Sequence, residues 1–227
     1  MDLLSFLFPK YCVGCKKIGD YLCDKCFSMI SFNVIEKCLE CERPAIDGLT
    51  HPICKNKYSI DGVFSILAYK GIVKKLLYVF KYKPYVSSLK KFLVDFMYEG
   101  LIQKEVFMSN LNDKLCFVPI PLSKERERNR GYNQSSLISI GIAQKFNGIV
   151  LPLIIRVRDQ KSQVGLRREE RLKNSKGVFK INKDISMPQI IFLVDDVITT
   201  GATIIEATKI LKKNGAKHVY AIIFASY

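Results

Sequence analysis

Short, uniformly apolar runs alternate along this chain with stretches whose apolar residues recur at helical spacing. Val63 to Tyr69 alternates and carries β-branched and aromatic residues, which predicts a strand. Gly71 to Lys81 places Ile72, Leu76, Leu77 and Phe80 on one helical face with lysines opposite, and Leu89 to Leu101 predicts a second amphipathic helix. Leu115 to Ile120 is an apolar run, followed by the most basic stretch of the chain, read as a turn, and by a helix from about Ser135 to Phe146 that Asn147-Gly148 stops. Val150 to Val157 predicts a strand broken at Pro152. Arg156 to Arg171 is polar without clear period, which fits either a lid or a charge-paired helix after Leu166. Ile190 to Val194, a helix over Thr203 to Lys213 and a buried strand over His218 to Ser226 complete the pattern. Strands alternating with helices predict an α/β fold with a parallel sheet flanked by helices.

The candidate chemistry lies where one of those strands runs out. Ile190 to Val194 is too uniformly apolar for a half-exposed strand, so it reads as central in a parallel sheet. Asp195 and Asp196 then stand at its carboxyl end, where open α/β sheets bind ligands. Thr199, Thr200, Gly201, Ala202 and Thr203 follow as a turn whose N–H groups and hydroxyls, backed by a helix N-terminus, suit a phosphate. A ribose presents two vicinal hydroxyls that paired carboxylates accept. Together the acids and the turn describe a ribose 5-phosphate socket. An acid pair at a strand end also serves sites that bind only a metal ion, and either acid is a good helix cap; neither role needs the whole Thr-Thr-Gly-Ala-Thr sequence.

Charge adds a second partner class. The formal net charge is +15 over 227 residues, more than a sugar diphosphate needs, which makes single-stranded nucleic acid the next candidate; a merely solvated lysine-rich surface gives the same number. Lys124, Arg126, Arg128 and Arg130, followed by Gly131, are placed to meet a pyrophosphate. Tyr69, Tyr82, Tyr85 and Tyr132 are candidate base-stacking residues, although tyrosines at element edges also simply pack. No apolar run approaches the roughly 18 residues of a membrane span, and Leu3 to Phe8 lacks the basic leader of a signal peptide, so a cytoplasmic protein is expected.

Seven of the eight cysteines crowd the first quarter of the chain. Cys12-x-x-Cys15, Cys23-x-x-Cys26, Cys38-x-x-Cys41 and His51-x-x-Cys54 supply eight soft ligands, enough for two tetrahedral Zn²⁺ ions of structural type. Successive pairing puts Cys12, Cys15, Cys23 and Cys26 around one ion and Cys38, Cys41, His51 and Cys54 around the other. An interleaved pairing satisfies the same counts, and without His51 the second site keeps three cysteines. Residues 1–56 are too short and too polar between these pairs to build a core of their own, so a zinc-ribbon module over 1–56 and a main domain over 57–227 are expected. Cys116 stands alone in an apolar stretch and reads as a small buried hydrophobe.

Val194 to Thr203 resembles the 5-phosphoribosyl 1-pyrophosphate (PRPP) signature of type I phosphoribosyltransferases. With the cysteine pairs, the Arg130-Gly131-Tyr132-Asn133-Gln134 stretch, and Gln163-Val164-Gly165-Leu166 with Arg171 and Asn174, the whole chain resembles the ComF family. The resemblance implies a type I phosphoribosyltransferase-like domain behind a double zinc ribbon. It also implies PRPP with Mg²⁺ as ligand and a role in natural transformation on incoming single-stranded DNA, with a ComF helicase and other competence proteins as partners. Asp195 and Asp196 would be the catalytic acids and 199–203 the phosphate turn. The alternatives are a nucleobase or amine phosphoribosyltransferase of salvage metabolism and a PRPP-sensing regulator, because nothing in the sequence identifies an acceptor.

Overall fold

A computed structural model describes residues 9–82, 87–111, 114–158 and 168–227. Five strands form one parallel sheet in the order β1 (Gly62–Ala68), β7 (His218–Ser226), β6 (Ile190–Ile198), β2 (Cys116–Pro119) and β3 (Ile149–Val150). The expected α/β architecture is therefore present. Strand β6 lies at the centre, in register with β7 from Ile190↔His218 to Ile198↔Ser226. Its run Ile191 to Val194 is fully buried, as a strand covered on both faces requires.

Alternate residues of β6 feed two separate cores. Phe192 and Val194 join the cluster built with helices α2 (Gly71–Tyr82), α3 (Ser87–Leu101), α4 (Glu105–Ser109) and α6 (Gln134–Lys145). Ile191 and Leu193 join the cluster built with α8 (Ala202–Lys213) and with the antiparallel pair β4 (Ile154–Arg156) and β5 (Phe179–Ile181). Helix α7 (Arg168–Ser175) precedes β5. Cys116 is buried, and burial pushes its thiol up to about 12, consistent with an inert packing role.

Three sequence expectations shift. The basic stretch is a helix, α5 (Lys124–Arg130): Ser123 Oγ accepts from the Arg126 N–H at 3.2 Å, and Gly131 ends the helix at φ 77°. The segment from Val150 to Val157 is two strands in two different sheets, because Pro152 cannot continue a ladder. The acids are not beyond the strand but inside it, since β6 runs on to Ile198. Of the 156–171 stretch, residues from Arg168 on form helix α7, as the reading of a charged helix after Leu166 expects, while 159–167, with the Gln163-Val164-Gly165-Leu166 segment, lie outside the described residues, as does Tyr85.

The cysteine-rich part is a duplicated turn. Lys16 N–H donates to Cys12 O at 2.9 Å and Glu42 N–H to Cys38 O at 2.8 Å; Cys12 N–H donates to Lys17 O and Cys38 N–H to Arg43 O. Lys16 and Glu42 both take positive φ, and the bridges Tyr11↔Ile18 and Lys37↔Pro44 close the two copies alike. Each copy ends in one helical turn, α1 (Asp24–Phe27) and a 3-10 turn (Pro52–Cys54). Among the described residues, no helix is long and apolar enough to cross a membrane.

Candidate functional site

Strand β6 carries both acids to the carboxyl edge of the sheet, and each acquires a different partner. Asp195 Oδ1 accepts from Ser135 Oγ and from the Asp196 N–H, both at 2.9 Å. Asp196 Oδ2 pairs with Lys81 Nζ of α2 at 2.6 Å, with 12% and 18% of the two side chains exposed. Burial raises the Asp195 carboxyl to about 7, the neighbouring Asp196 charge adds to this, and the hydrogen bonds and Lys81 oppose it. The residue keeps some exposed surface at the sheet edge even though protein atoms crowd its carboxyl. At neutral pH Asp195 is therefore a proton-exchanging group beside the Lys81-paired Asp196.

The turn follows directly. Gly201 is the N-cap of α8 at φ 70°, a left-handed conformation that glycine adopts without strain. The first N–H groups of a helix have no intrahelical acceptor, and a glycine cap brings no side-chain oxygen to them. Thr199 is exposed, Thr200 and Thr203 are half-buried, and Gly201 and Ala202 are buried.

The basic helix divides its cations. Lys124, Arg126 and Arg128 are exposed on α5, whereas Arg130 donates to Gln134 Oε1 at 2.9 Å and lies 5.3 Å from the Tyr82 ring centre. Tyr132 donates its hydroxyl to Phe80 O, and Asn133 donates to Ile120 O while accepting from the Ser135 N–H. These last residues therefore lock the corner between α5 and α6, so Tyr132 packs and does not present its ring. Lys81 and Ser135, the groups that touch the acids, were missed by sequence reasoning. The only hint was Lys81 at the end of an amphipathic helix, since both contacts join distant segments.

The eight metal-binding candidates form two groups. The ligand atoms of Cys12, Cys15, Cys23 and Cys26 lie within 4.8 Å of one another, as do those of Cys38, Cys41, His51 and Cys54. Successive pairing, including His51, is the arrangement found. Around a tetrahedral ion with Zn–S bonds of about 2.3 Å, sulfurs stand roughly 3.8 Å apart; Cys15 and Cys23 are 3.6 Å apart. His51 places Nδ1 3.3 Å from Cys41 Sγ, while Nε2 donates to Pro44 O at 3.0 Å, fixing the tautomer whose free lone pair faces the sulfurs. At Cys12 burial opposes ionisation, but N–H groups of Cys15, Cys23 and Gly14 outweigh it and bring the thiol to about 6. Burial and the crowded sulfurs push Cys26 up to about 12. In the second group a hydrogen bond from the Arg43 side chain leads in bringing Cys41 to about 6, and burial leads in raising Cys54 to about 11. Such split thiols are what a divalent cation would even out. Both donor sets fit one tetrahedral ion each.

A family model for the phosphoribosyl transferase domain matches residues 128–226, from α5 through β7. The chain is 34% identical over 142 residues to competence protein ComFC of Streptococcus pneumoniae, covering 60% of this chain and 62% of that protein. It is 29% identical over 211 residues to ComFC of Bacillus subtilis, covering 91% and 79%. The chain is thus similar to ComFC proteins along most of its length. The chain is also 32% identical over 124 residues to the DNA utilization protein YhgH of Salmonella typhi, covering 52% and 54%. It thus spans less than two thirds of the pneumococcal and Salmonella relatives and more of the Bacillus one.

Proposed function

We propose that this protein binds PRPP with Mg²⁺ at the carboxyl edge of β6 and acts on single-stranded DNA during DNA uptake. One observation carries the first half: a central parallel strand delivers two carboxylates and, five residues after Asp196, a glycine-capped helix N-terminus to one edge. Asp195 and Asp196 accept the ribose hydroxyls, and the N–H groups and hydroxyls of Thr199, Thr200, Gly201, Ala202 and Thr203 take the 5′-phosphate. Lys124, Arg126, Arg128 and Arg130, with Gly131, lie toward the pyrophosphate, whose charge the Mg²⁺ shares. Lys81 holds Asp196 until the hydroxyls replace it. Zn²⁺ fills the two ligand sets of a module over 1–56, and 57–227 forms the binding domain.

The second half rests on the face of α2 and on the names ComFC and DNA utilization protein carried by relatives. Tyr78 and Tyr82 pair at 5.0 Å and Tyr69 and Tyr227 at 4.7 Å; Tyr78, Tyr82 and Tyr227 are 62%, 56% and 65% exposed. Lys74 Nζ stands over both rings of the second pair, at 5.4 and 5.5 Å. Exposed rings interleaved with cations are the means by which proteins hold unpaired bases and their phosphates. Val13 and Lys16 line the same groove as Lys74, Lys75 and Tyr78, so the first cysteine cluster borders the track.

The test is calorimetry with Mg·PRPP on wild type and the Asp195→Asn/Asp196→Asn double variant. The variant is expected to bind at least tenfold more weakly while keeping its circular dichroism spectrum. Equal affinity in a folded variant would remove the ribose assignment.

A further inference from the structure

The second cysteine cluster reaches the phosphate turn. Leu39, between the ligand positions Cys38 and Cys41, lies against Gly201: a Cβ there would stand 2.3 Å from Leu39 Cδ1, 2.9 Å from Cγ and 3.1 Å from Cδ2. Leu39 is half-buried and packs on the apolar cluster beneath α8. Gly201 is buried although Thr199 beside it is exposed. A hydrocarbon side chain from the N-terminal part of the chain therefore covers the N-terminus of a twelve-residue helix, a place that otherwise suits an anion.

The cover is not a sealed joint. A cavity of about 70 Å³ lies beside it, lined by Cys38, Leu39, Ile198, Thr199, Ser226 and Tyr227 among others. Atoms facing a void have no partners on that side, so separating these surfaces forfeits less attraction than opening a packed core. The loop bearing Leu39 is stiff, because Cys38 N–H donates to Arg43 O and Glu42 N–H to Cys38 O. Its other anchors lie on either side of it: Lys104 Nζ stands 2.8 Å from Glu36 Oε1 and 3.8 Å from Asp47 Oδ1, and residues 49–50 pair with the start of β1 through the bridge Leu49↔Gly62, Thr50 N–H to Asp61 O at 2.9 Å and Thr50 Oγ1 to Ile60 O at 2.6 Å. Leu39 can clear the turn only when the stiff 36–47 stretch swings about these anchors.

We infer that the second cluster is a lid on the 199–203 turn, with Leu39 and an incoming anion competing for the same face of Gly201. This rests on the sugar-phosphate reading of the turn. The contact keeps the site shut to weak anions, and ligand binding lifts the lid.

The experiment compares metal-loaded full-length wild type, Leu39→Ala and Leu39→Val, with metal content measured in each. Amide hydrogen exchange over residues 199–205 reports the cover directly, and calorimetry with Mg·PRPP reports the competition. Leu39→Ala is expected to raise exchange at the turn tenfold or more and to tighten Mg·PRPP about 5- to 20-fold; Leu39→Val moves both in the same direction by less. Unchanged exchange, or equal or weaker binding in a folded variant, would overturn the lid. If no form binds PRPP, the ligand reading falls, and exchange alone decides whether Leu39 covers the turn. Should Leu39→Ala fail to fold, Leu39→Val decides on the same readouts.

Discussion

The two cysteine clusters share one backbone turn and dock on the domain in opposite ways. In the first, Cys12 and Cys26 are buried in the larger hydrophobic core, and Gly14 sits so close that a Cβ would meet Cys26 Sγ at 2.5 Å and Ile72 Cδ1 of α2 at 3.4 Å. In the second, Cys38 is buried but Cys41, His51 and Cys54 are half-buried, and the links to the domain are polar for the most part: an ion-paired lysine, the bridge Leu49↔Gly62 and the Thr50 hydrogen bonds to residues 60 and 61, with Leu39 as an apolar contact. The lesson is that a duplicated ligand set need not have a duplicated role. Apolar docking ties the first copy to the larger core and so to global stability; the second copy, held mostly by polar contacts, is expected to open at lower cost.

Unequal coupling is the first thing to break. Cys12→Ser removes a ligand inside the core, and because metal binding to such a site is worth on the order of 10 kcal/mol, the chain is expected to lose cooperative thermal unfolding. Cys54→Ser is expected to keep a cooperative melt with one metal ion retained. Calorimetric melting with metal analysis checks both, and the reverse order contradicts the comparison.

A smaller effect sharpens the contact of the second copy. Gly201→Ala adds a Cβ at positive φ and against Leu39, and is expected to cost about 2–4 kcal/mol in denaturant unfolding. Adding Leu39→Ala should return the steric part of that loss, about 1 kcal/mol or more. Strict additivity would mean that the two residues do not press on each other in solution.

The acid pair lies on the first copy's side, through Lys81 of α2, and gives a pH signature. Asp195 is raised to about 7, so its folded form favours the proton. The stability this contributes is full below the unfolded value near 4 and is lost as pH rises through about 7. Asp195→Asn is therefore expected to unfold at higher denaturant than wild type at pH 8, by roughly 1–3 kcal/mol, with the gain vanishing near pH 4. A gain that does not depend on pH would place the cause elsewhere.

Smallest of all is the ionic tether. Lys104→Met is expected to cost about 1 kcal/mol while speeding amide exchange in residues 36–47 and leaving residues 12–26 unchanged. Equal loosening of both copies would erase the distinction.

Much of this was legible in the residues. His218 to Ser226 is the strand that the apolar run predicted, and the cysteine spacing marked both clusters, because local pattern and ligand count decide these features. Helix α5 was missed because alternating charge hides helical period; the Ser123 cap and Gly131 were its available signals. Lys81, Ser135 and Leu39 were invisible as site residues for a different reason. Each reaches the β6 edge from over 50 positions away in sequence, and nothing in its own neighbourhood encodes that meeting.

The most direct measurement is a crystal structure of the metal-loaded protein with PRPP and Mg²⁺. Ribose hydroxyls are expected on Asp195 and Asp196, the 5′-phosphate on the N–H groups of 200–203, and Leu39 lifted from Gly201. PRPP bound elsewhere, with Lys81 still on Asp196 and Leu39 still on Gly201, would contradict this expectation.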